Sequence, residues 1–163
     1  MELTPKLSPI RVAKLVPGEL CIVADGVDTC LAMKGVDPEC DGDPIMLMLG
    51  PYSSPDKQMR VIGAHDGTVI RIGKDFVLKL PIEPGSWSTS EILDRRPVIA
   101  LVDEQIYFRG NYSPSQEHFQ QCWINASTGV LQYKMPRGTT AFATRWEIAL
   151  QNAPVTEQSI AFS

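Results

Sequence analysis

The sequence predicts an all-β fold, and three observations lead to that prediction. Thirteen prolines and twelve glycines, many of them at the ends of apolar runs, favour short strands over long helices. Within residues 58–80, apolar and polar side chains alternate: Ile70 and Ile72 lie on one face of a strand with Arg71 between them. A similar unit precedes this stretch and another follows it. We therefore expect residues 1–163 to form one domain built from three related repeats.

Tight hairpins are the first kind of repeated element. They are predicted at residues 10–24, 68–80 and 122–135, with turns at Val16-Pro17-Gly18-Glu19, Gly73-Lys74-Asp75 and Ala126-Ser127-Thr128-Gly129. The turn glycines Gly18, Gly73 and Gly129 are separated by 55 and 56 residues. Each is expected to supply the positive φ that a short hairpin turn requires.

A second kind of strand pair lies between the hairpins. The pairs are predicted at residues 44–49 with 58–62, 97–102 with 105–108, and 139–143 with 145–150. The total is twelve strands in three four-strand repeats, at about residues 10–63, 64–110 and 121–150. This order predicts a β-trefoil, in which six strands close a short barrel and three hairpins cap it. A two-sheet sandwich is the alternative.

Long connections are expected at residues 25–43 and 81–96. In the second of them, Ser88 is followed three residues later by Glu91, the spacing of a capping box. One or two helical turns are therefore predicted at residues 89–95.

Composition excludes several classes of function. The net charge of -4, with no run of basic residues, argues against a nucleic-acid partner. No segment resembles a signal peptide or a membrane span, so a cytoplasmic protein is expected, with no membrane partner and as a monomer. Cys21, Cys30, Cys40 and Cys122 are predicted to be free thiols, mostly buried, although Cys21 and Cys30 could meet across a turn.

Acidic residues alternate from Asp37 to Asp43 and end beside Gly42, as in the opening of a calcium loop. Pro44 follows, and Leu49 stands where such a loop needs a glutamate. We therefore interpret this stretch as a solvated acidic loop, with no metal and no cofactor.

A thiol nucleophile is the one catalytic possibility in the sequence. His118 and Cys122 have the spacing of facing side chains on a helical turn, but Cys122 lies in an apolar strand beside Trp123. His65 is interpreted as a turn residue. No known catalytic motif is present, so the chain is predicted not to be an enzyme.

The three tryptophans receive different interpretations. Trp123 and Trp146 follow the strand period and are predicted to be core residues. Trp87 lies in a predicted loop, where it would either anchor a partner or fold back over the end of the barrel.

Several segments resemble the mycocypins, fungal β-trefoil inhibitors of cysteine proteases. They are Val16-Pro17-Gly18, Met48-Leu49-Gly50-Pro51, residues 82–88, residues 97–102 and Arg145-Trp146-Glu147-Ile148. The resemblance implies that two adjacent loops enter the cleft of a papain-like protease and obstruct its catalytic thiol. These loops would be Pro17-Gly18-Glu19 and Gly50-Pro51-Tyr52. An asparagine that some members use against asparaginyl endopeptidase has no counterpart in Gly73-Lys74-Asp75, so Lys74 or Arg137 is considered instead as a basic residue for a trypsin-like pocket.

A carbohydrate-binding trefoil similar to the ricin-type lectins is the rival hypothesis. Asp66-Gly67-Thr68-Val69, Gln58 and Gln105 match parts of the lectin repeat, whereas Arg60 and Tyr107 replace its tryptophan. An interaction domain without a pocket is a third possibility.

Overall fold

A computed structural model of the chain describes residues 8–50, 59–92, 97–112, 120–150 and 159–162, and it is all-β. The strands are β1 (Ser8–Arg11), β2 (Leu20–Asp25), β3 (Asp28–Asp37), β4 (Asp43–Gly50), β5 (Arg60–Gly63), β6 (Thr68–Gly73), β7 (Phe76–Lys79), β8 (Trp87–Ser88), β9 (Ile99–Val102), β10 (Gln105–Tyr112), β11 (Gln120–Asn125), β12 (Leu131–Gln132), β13 (Ala141–Ala143), β14 (Trp146–Leu150) and β15 (Ser159–Phe162). Each of the twelve predicted strands overlaps one of these. Helical structure in these residues is confined to single 3-10 turns at Val12–Lys14 and Pro38–Cys40, and none of it is long enough to cross a membrane.

The strands form two sheets. The larger follows the order β1-β6-β2-β3-β4-β5-β10-β9-β13-β8, with β11 paired to β10 and β12 paired to β11. The smaller has the order β15-β14-β7. The strand pairs are antiparallel except for β5 with β10, where Arg60 lies opposite Asn111. Neither sheet closes on itself within the described ranges, so the predicted closed barrel is not observed there.

Three of the six predicted strand pairs form. β4 pairs with β5, β9 pairs with β10 around a turn at Asp103 and Glu104, and β11 pairs with β12 around the Ala126–Gly129 turn. Gly18, Gly73 and Gly129 all have positive φ, at 85°, 98° and 69°, as predicted.

The other three predicted pairs are wrong, because in each of them the two strands that flank the turn pair with other strands and not with each other. β6 lies between β1 and β2 and is antiparallel to both, so β1 and β2 run in the same direction and cannot form a hairpin. β6 belongs to the larger sheet, whereas β7 pairs with β14 in the smaller one. β13 pairs with β9 and β8 rather than with β14.

The predicted long connection at residues 25–43 is also wrong, since most of it is strand β3. This strand joins β2 through a turn at Gly26 and Val27 and lies beside β4 on its other edge. Leu31 and Met33 pack into the main core, while Cys30 and Ala32 pack into a second apolar cluster on the opposite face. A strand that is buried on both faces loses the alternation that identifies a half-buried strand.

The main core joins the two sheets. The Trp146 ring on β14 packs against Phe108 on β10, with ring centroids 5.1 Å apart. Trp123 packs with Phe142 in a third cluster. The prediction that Trp123 and Trp146 are core residues is therefore confirmed.

The predicted helical turn is not formed in the part of residues 89–95 that is described. The Ser88 hydroxyl accepts a hydrogen bond from the Ser90 amide at 3.1 Å and donates one to the Ser90 carbonyl at 2.8 Å, rather than capping a helix with Glu91. A serine that bonds its own backbone two residues on favours a turn.

Candidate functional site

The first predicted protease-binding loop is a turn that is clamped in three places. The Glu19 amide donates to the Val16 carbonyl at 3.0 Å, and the Glu19 carboxylate accepts from the Val16 amide at 2.9 Å. The Gly18 amide donates to the Lys34 carbonyl on β3 at 2.8 Å. The turn is therefore attached to the sheet and has little freedom of its own.

Glu19 has a structural position rather than a surface one. Its side chain is buried, and its carboxylate pairs with the Arg71 guanidinium on β6, where the Arg71 Nε atom lies 3.2 Å away. Burying a carboxylate is costly unless it is paired and hydrogen-bonded, and here both conditions hold.

Gly18 is buried as well, because the Ala126–Gly129 turn covers it. A Cβ at Gly18 would lie 2.5 Å from the Ser127 carbonyl oxygen, and one at Gly129 would lie 2.4 Å from the Gly18 amide nitrogen. The Gly18 backbone is thus packed against another turn of the same chain and is not presented to a protease in the way that the resemblance implies. Val16 remains at the surface, with 52% of its area exposed, beside the half-buried Pro17.

The second predicted loop starts at Gly50, the buried last residue of β4, with φ at 105°. Pro51 and Tyr52 lie outside the described residues. Gly50 is opposite Leu31 on β3, whereas Gly18 bonds to Lys34 of the same strand. Three residues of a strand span about 10 Å. The two loops therefore leave β3 from opposite edges and at different levels.

Three predicted turns meet at one end of the molecule. We name the Val16–Glu19, Gly73–Asp75 and Ala126–Gly129 turns together the turn cluster. The Lys74 ammonium donates to the Ser127 carbonyl at 3.3 Å, and a Cβ built on Gly18 would lie 2.5 Å from the same carbonyl oxygen and 3.3 Å from the Lys74 Nζ atom. Asn125 stiffens the third turn, since its side-chain oxygen accepts from the amides of Ser127 and Thr128.

A cavity of about 440 Å³ opens beside the turn cluster. Its apolar floor includes Phe76, Leu78 and Ile106, and Lys74 and Glu104 supply its charges. Val77 on its wall and Val16 in the adjoining turn are partly exposed. Exposed aliphatic side chains around a concave apolar surface are typical of a contact site. This site was not predicted from the sequence, although the even spacing of the turn glycines was a signal that the turns hold equivalent places.

Arg137 lies in a second concave site. The Met135–Arg137 segment borders a cavity of about 470 Å³ together with Tyr107 and Tyr133. The Thr139 hydroxyl donates to the Pro136 carbonyl at 2.7 Å, which holds this turn while Arg137 stays exposed. Lys74 and Arg137, the two candidate basic residues, thus belong to different cavities.

Trp87 folds back rather than standing free. It lies in β8, its ring packs against the main core, and its indole nitrogen donates to the Pro81 carbonyl at 2.7 Å. Of the two interpretations of Trp87, the structure agrees with folding back, but against the main core rather than over the end of a closed barrel.

The acidic stretch is tied to the fold through Asp37. This buried residue accepts from the Glu39 amide at 3.0 Å and from the Tyr133 hydroxyl. Within the described ranges, no three His, Cys, Asp or Glu side chains are grouped as a metal site would require.

The buried thiols are shielded from chemistry. The Cys122 thiol donates to the Gly110 carbonyl at 3.4 Å, and burial raises the pKa of Cys122 to about 12. Burial also raises the pKa of Cys21 to about 12. His65 is exposed in its turn, and His118 lies outside the described residues. Cys21 and Cys30 are both free, so no bridge joins them.

Thiol labelling is expected to separate one cysteine from the rest. Cys40 is exposed and the other three are buried, so a native chain should react with an aromatic disulfide reagent at one thiol, and an unfolded chain at four. The Cys40→Ser variant should show no fast reaction. Rapid labelling of more than one thiol in the native protein would contradict the buried placement.

The described part of the chain is thus an all-β protein whose surface includes the two cavities described above. No family model, curated protein or solved structure matches the chain. The likeness to mycocypins is thus a resemblance of short segments.

Proposed function

We propose that the protein is an inhibitor that binds papain-like cysteine proteases through the turn cluster, with Val16 and Pro17 at the point of contact. One observation carries the proposal: the Val16–Glu19 turn exposes Val16, with Pro17 half-buried beside it, and is held in place by Glu19 and Lys34. A loop that is rigid before binding loses less conformational entropy in the complex.

The proposed contact is apolar at its centre. Val16 is exposed in the turn whose Gly18 lines the cavity, and the partly exposed Val77 lines the same cavity. Such a surface, bordered by Lys74 and Glu104, matches the usual anatomy of a protein interface, with an apolar centre and a charged rim. Gly18 and Glu19 support the turn from beneath and do not touch the protease in this proposal.

A polar side chain in place of Val16 is expected to weaken the inhibition of papain. We expect Val16→Gln to raise the inhibition constant for papain by about 30-fold. Replacing a central residue of an interface costs on the order of 2 kcal/mol of binding free energy, which corresponds to this factor. The matched control is Val27→Gln, since Val27 is a valine at another turn and is 95% exposed. Both variants should unfold at the same denaturant concentration as the parent protein.

The result distinguishes three outcomes. Loss of inhibition in Val16→Gln alone supports the turn cluster as the contact. If both variants inhibit papain equally well, Val16 does not belong to the contact surface. If the parent protein does not inhibit papain, the proposed function itself is overturned.

A second candidate function is inhibition of a trypsin-like protease at Arg137. The supporting observation is that Arg137 is exposed in a turn held by the Thr139–Pro136 hydrogen bond. Lys74 is less suited, because its ammonium is bonded to the Ser127 carbonyl. Arg137→Gln should abolish trypsin inhibition and leave papain inhibition unchanged, whereas the opposite pattern would contradict both assignments.

For the fold, we propose a β-trefoil plan with three related lobes. The meeting of the three repeat turns in one cluster supports this plan, as does the positive φ of all three turn glycines. Backbone assignments from NMR would test this plan, because they would show which strands of different lobes pair with one another.

A further inference from the structure

The cavity beside Arg137 differs in chemistry from the cavity at the turn cluster. Two aromatic rings, those of Tyr107 and Tyr133, line it, together with the amide of Gln132. Lys134 and Arg137 contribute two positive charges, and Glu39 contributes one negative charge. An excess of cations in one cavity is notable in a chain whose net charge is -4.

The two tyrosine rings are fixed before any ligand arrives. The Tyr107 hydroxyl donates to the Gln105 side chain at 2.8 Å, and the Tyr133 hydroxyl donates to Asp37. Tyr133 also packs against Tyr112, with ring centroids 6.2 Å apart. Since each hydroxyl has its one donor engaged within the protein, these residues offer a ligand their rings and an acceptor oxygen, but no hydrogen-bond donor.

The polar groups of the cavity are open to new partners. The Gln132 amide nitrogen donates to the Lys134 carbonyl at 2.8 Å, which orients the amide and leaves its oxygen as a hydrogen-bond acceptor. Lys134 and Arg137 are exposed, and neither forms an ion pair with another residue in the described part of the chain. A guanidinium in this position can bind a carboxylate or sulfate through two parallel hydrogen bonds.

We propose that this cavity binds a saccharide that carries a negative charge. The apolar face of a sugar ring would lie against a tyrosine ring, a sugar hydroxyl would donate to the Gln132 oxygen, and the acidic group would bind Arg137 with Lys134 beside it. A cavity of about 470 Å³ has room for one or two sugar units. This site is separate from the turn cluster and does not depend on the proposed papain contact, although it shares Arg137 with the second candidate function.

Calorimetric titration with trigalacturonate tests the proposal, with neutral galactotriose as the uncharged probe and a sulfated galactose trisaccharide as the third. We expect trigalacturonate to bind and galactotriose to bind at least about tenfold more weakly, because a hydrogen bond to a charged group is worth a factor of this order. The sulfated probe shows whether the site prefers carboxylate or sulfate; binding by either acidic probe supports the inference.

Two variants in the cavity should act in opposite directions. Arg137→Gln should weaken trigalacturonate binding by about tenfold, whereas Glu39→Gln should strengthen it by about twofold to fivefold, because the one negative charge of the cavity is removed. Lys74→Gln, which removes a cation from the other cavity, is the matched control and should leave the affinity unchanged. Thermal unfolding of each variant confirms that the fold is intact.

The inference is overturned if neither acidic probe binds at a concentration of about 10 mM, which is on the order of the weakest specific dissociation constants. It is also overturned if galactotriose binds as well as trigalacturonate. If Lys74→Gln weakens binding as much as Arg137→Gln does, the attraction comes from the overall charge and the cavity is not the site.

Discussion

Replacing Gly129 with alanine is expected to lower the free energy of unfolding by about 2–5 kcal/mol, the sum of left-handed backbone strain and overpacking. The added Cβ would lie 2.4 Å from the Gly18 amide nitrogen and 2.7 Å from the Lys34 carbonyl oxygen. Both neighbours are backbone atoms, so neither can rotate away. The substitution should therefore separate the turns of the turn cluster.

Gly26→Ala is the matched control for this prediction. Gly26 has φ at 65°, close to the 69° of Gly129, but a Cβ there would have no neighbour within 4 Å. Gly26→Ala should lower the free energy of unfolding only by the backbone strain of the left-handed conformation, about 1–2 kcal/mol. Urea unfolding of the two variants measures the difference directly. Equal costs would mean that the Gly18 and Gly129 backbones are not in contact.

Replacing Glu19 with alanine is the second large effect. We expect a loss of about 2–3 kcal/mol, because the Val16 amide and the Arg71 guanidinium both lose a partner. The loss is kept moderate by Arg71, whose side chain is 45% exposed and can bind water instead. The variant should also weaken papain inhibition, since the turn that presents Val16 would be released.

The exposed ion pair between Glu83 and Arg145 serves as the control. Its atoms are 3.5 Å apart and its side chains are 71% and 58% exposed, so Glu83→Ala should change the free energy of unfolding by less than about 0.5 kcal/mol. A similar loss in both variants would show that Glu19 acts as an ordinary surface charge. Urea unfolding at low and high salt would separate the two, because a buried pair is screened less.

Local pattern was enough to locate most strands but not to pair them. The β9–β10 and β11–β12 pairs were predicted because their strands are joined by short turns. The pairing of β6 with β1 and β2 joins residues far apart in the chain, and nothing in the alternation at Ile70 and Ile72 specifies those partners. Register and order between distant strands depend on packing in three dimensions.

Strand β3 was missed for a different physical reason. Residues on both of its faces are buried, Met33 in the main core and Ala32 in the second cluster, so its centre, Cys30 to Met33, is a continuous apolar run. Such a run has no period to distinguish strand from buried connection. Lys34, which follows the run, is buried as well, so a charged residue at this point does not mark a position exposed to solvent.

The candidate site was predictable in part. The turns at Gly18, Lys74 and Gly129 were identified from their glycines and their even spacing, but their contact with one another was not. Glu19 is expected in the protease contact only because the resemblance to mycocypins implies that its turn enters the protease cleft. Its burial follows from Arg71, 52 residues further along the chain, which no local pattern could indicate.

Photo-cross-linking to papain tests the proposed contact most directly. A benzoylphenylalanine placed at Val16, or at Val27 as the control, would be irradiated with papain whose active-site thiol is blocked by a small group that leaves the rest of the cleft open. We predict a one-to-one adduct from position 16 that maps to the protease cleft, and none from position 27. An adduct from position 27 alone, or none from either position at micromolar concentration, would contradict a contact through the turn cluster.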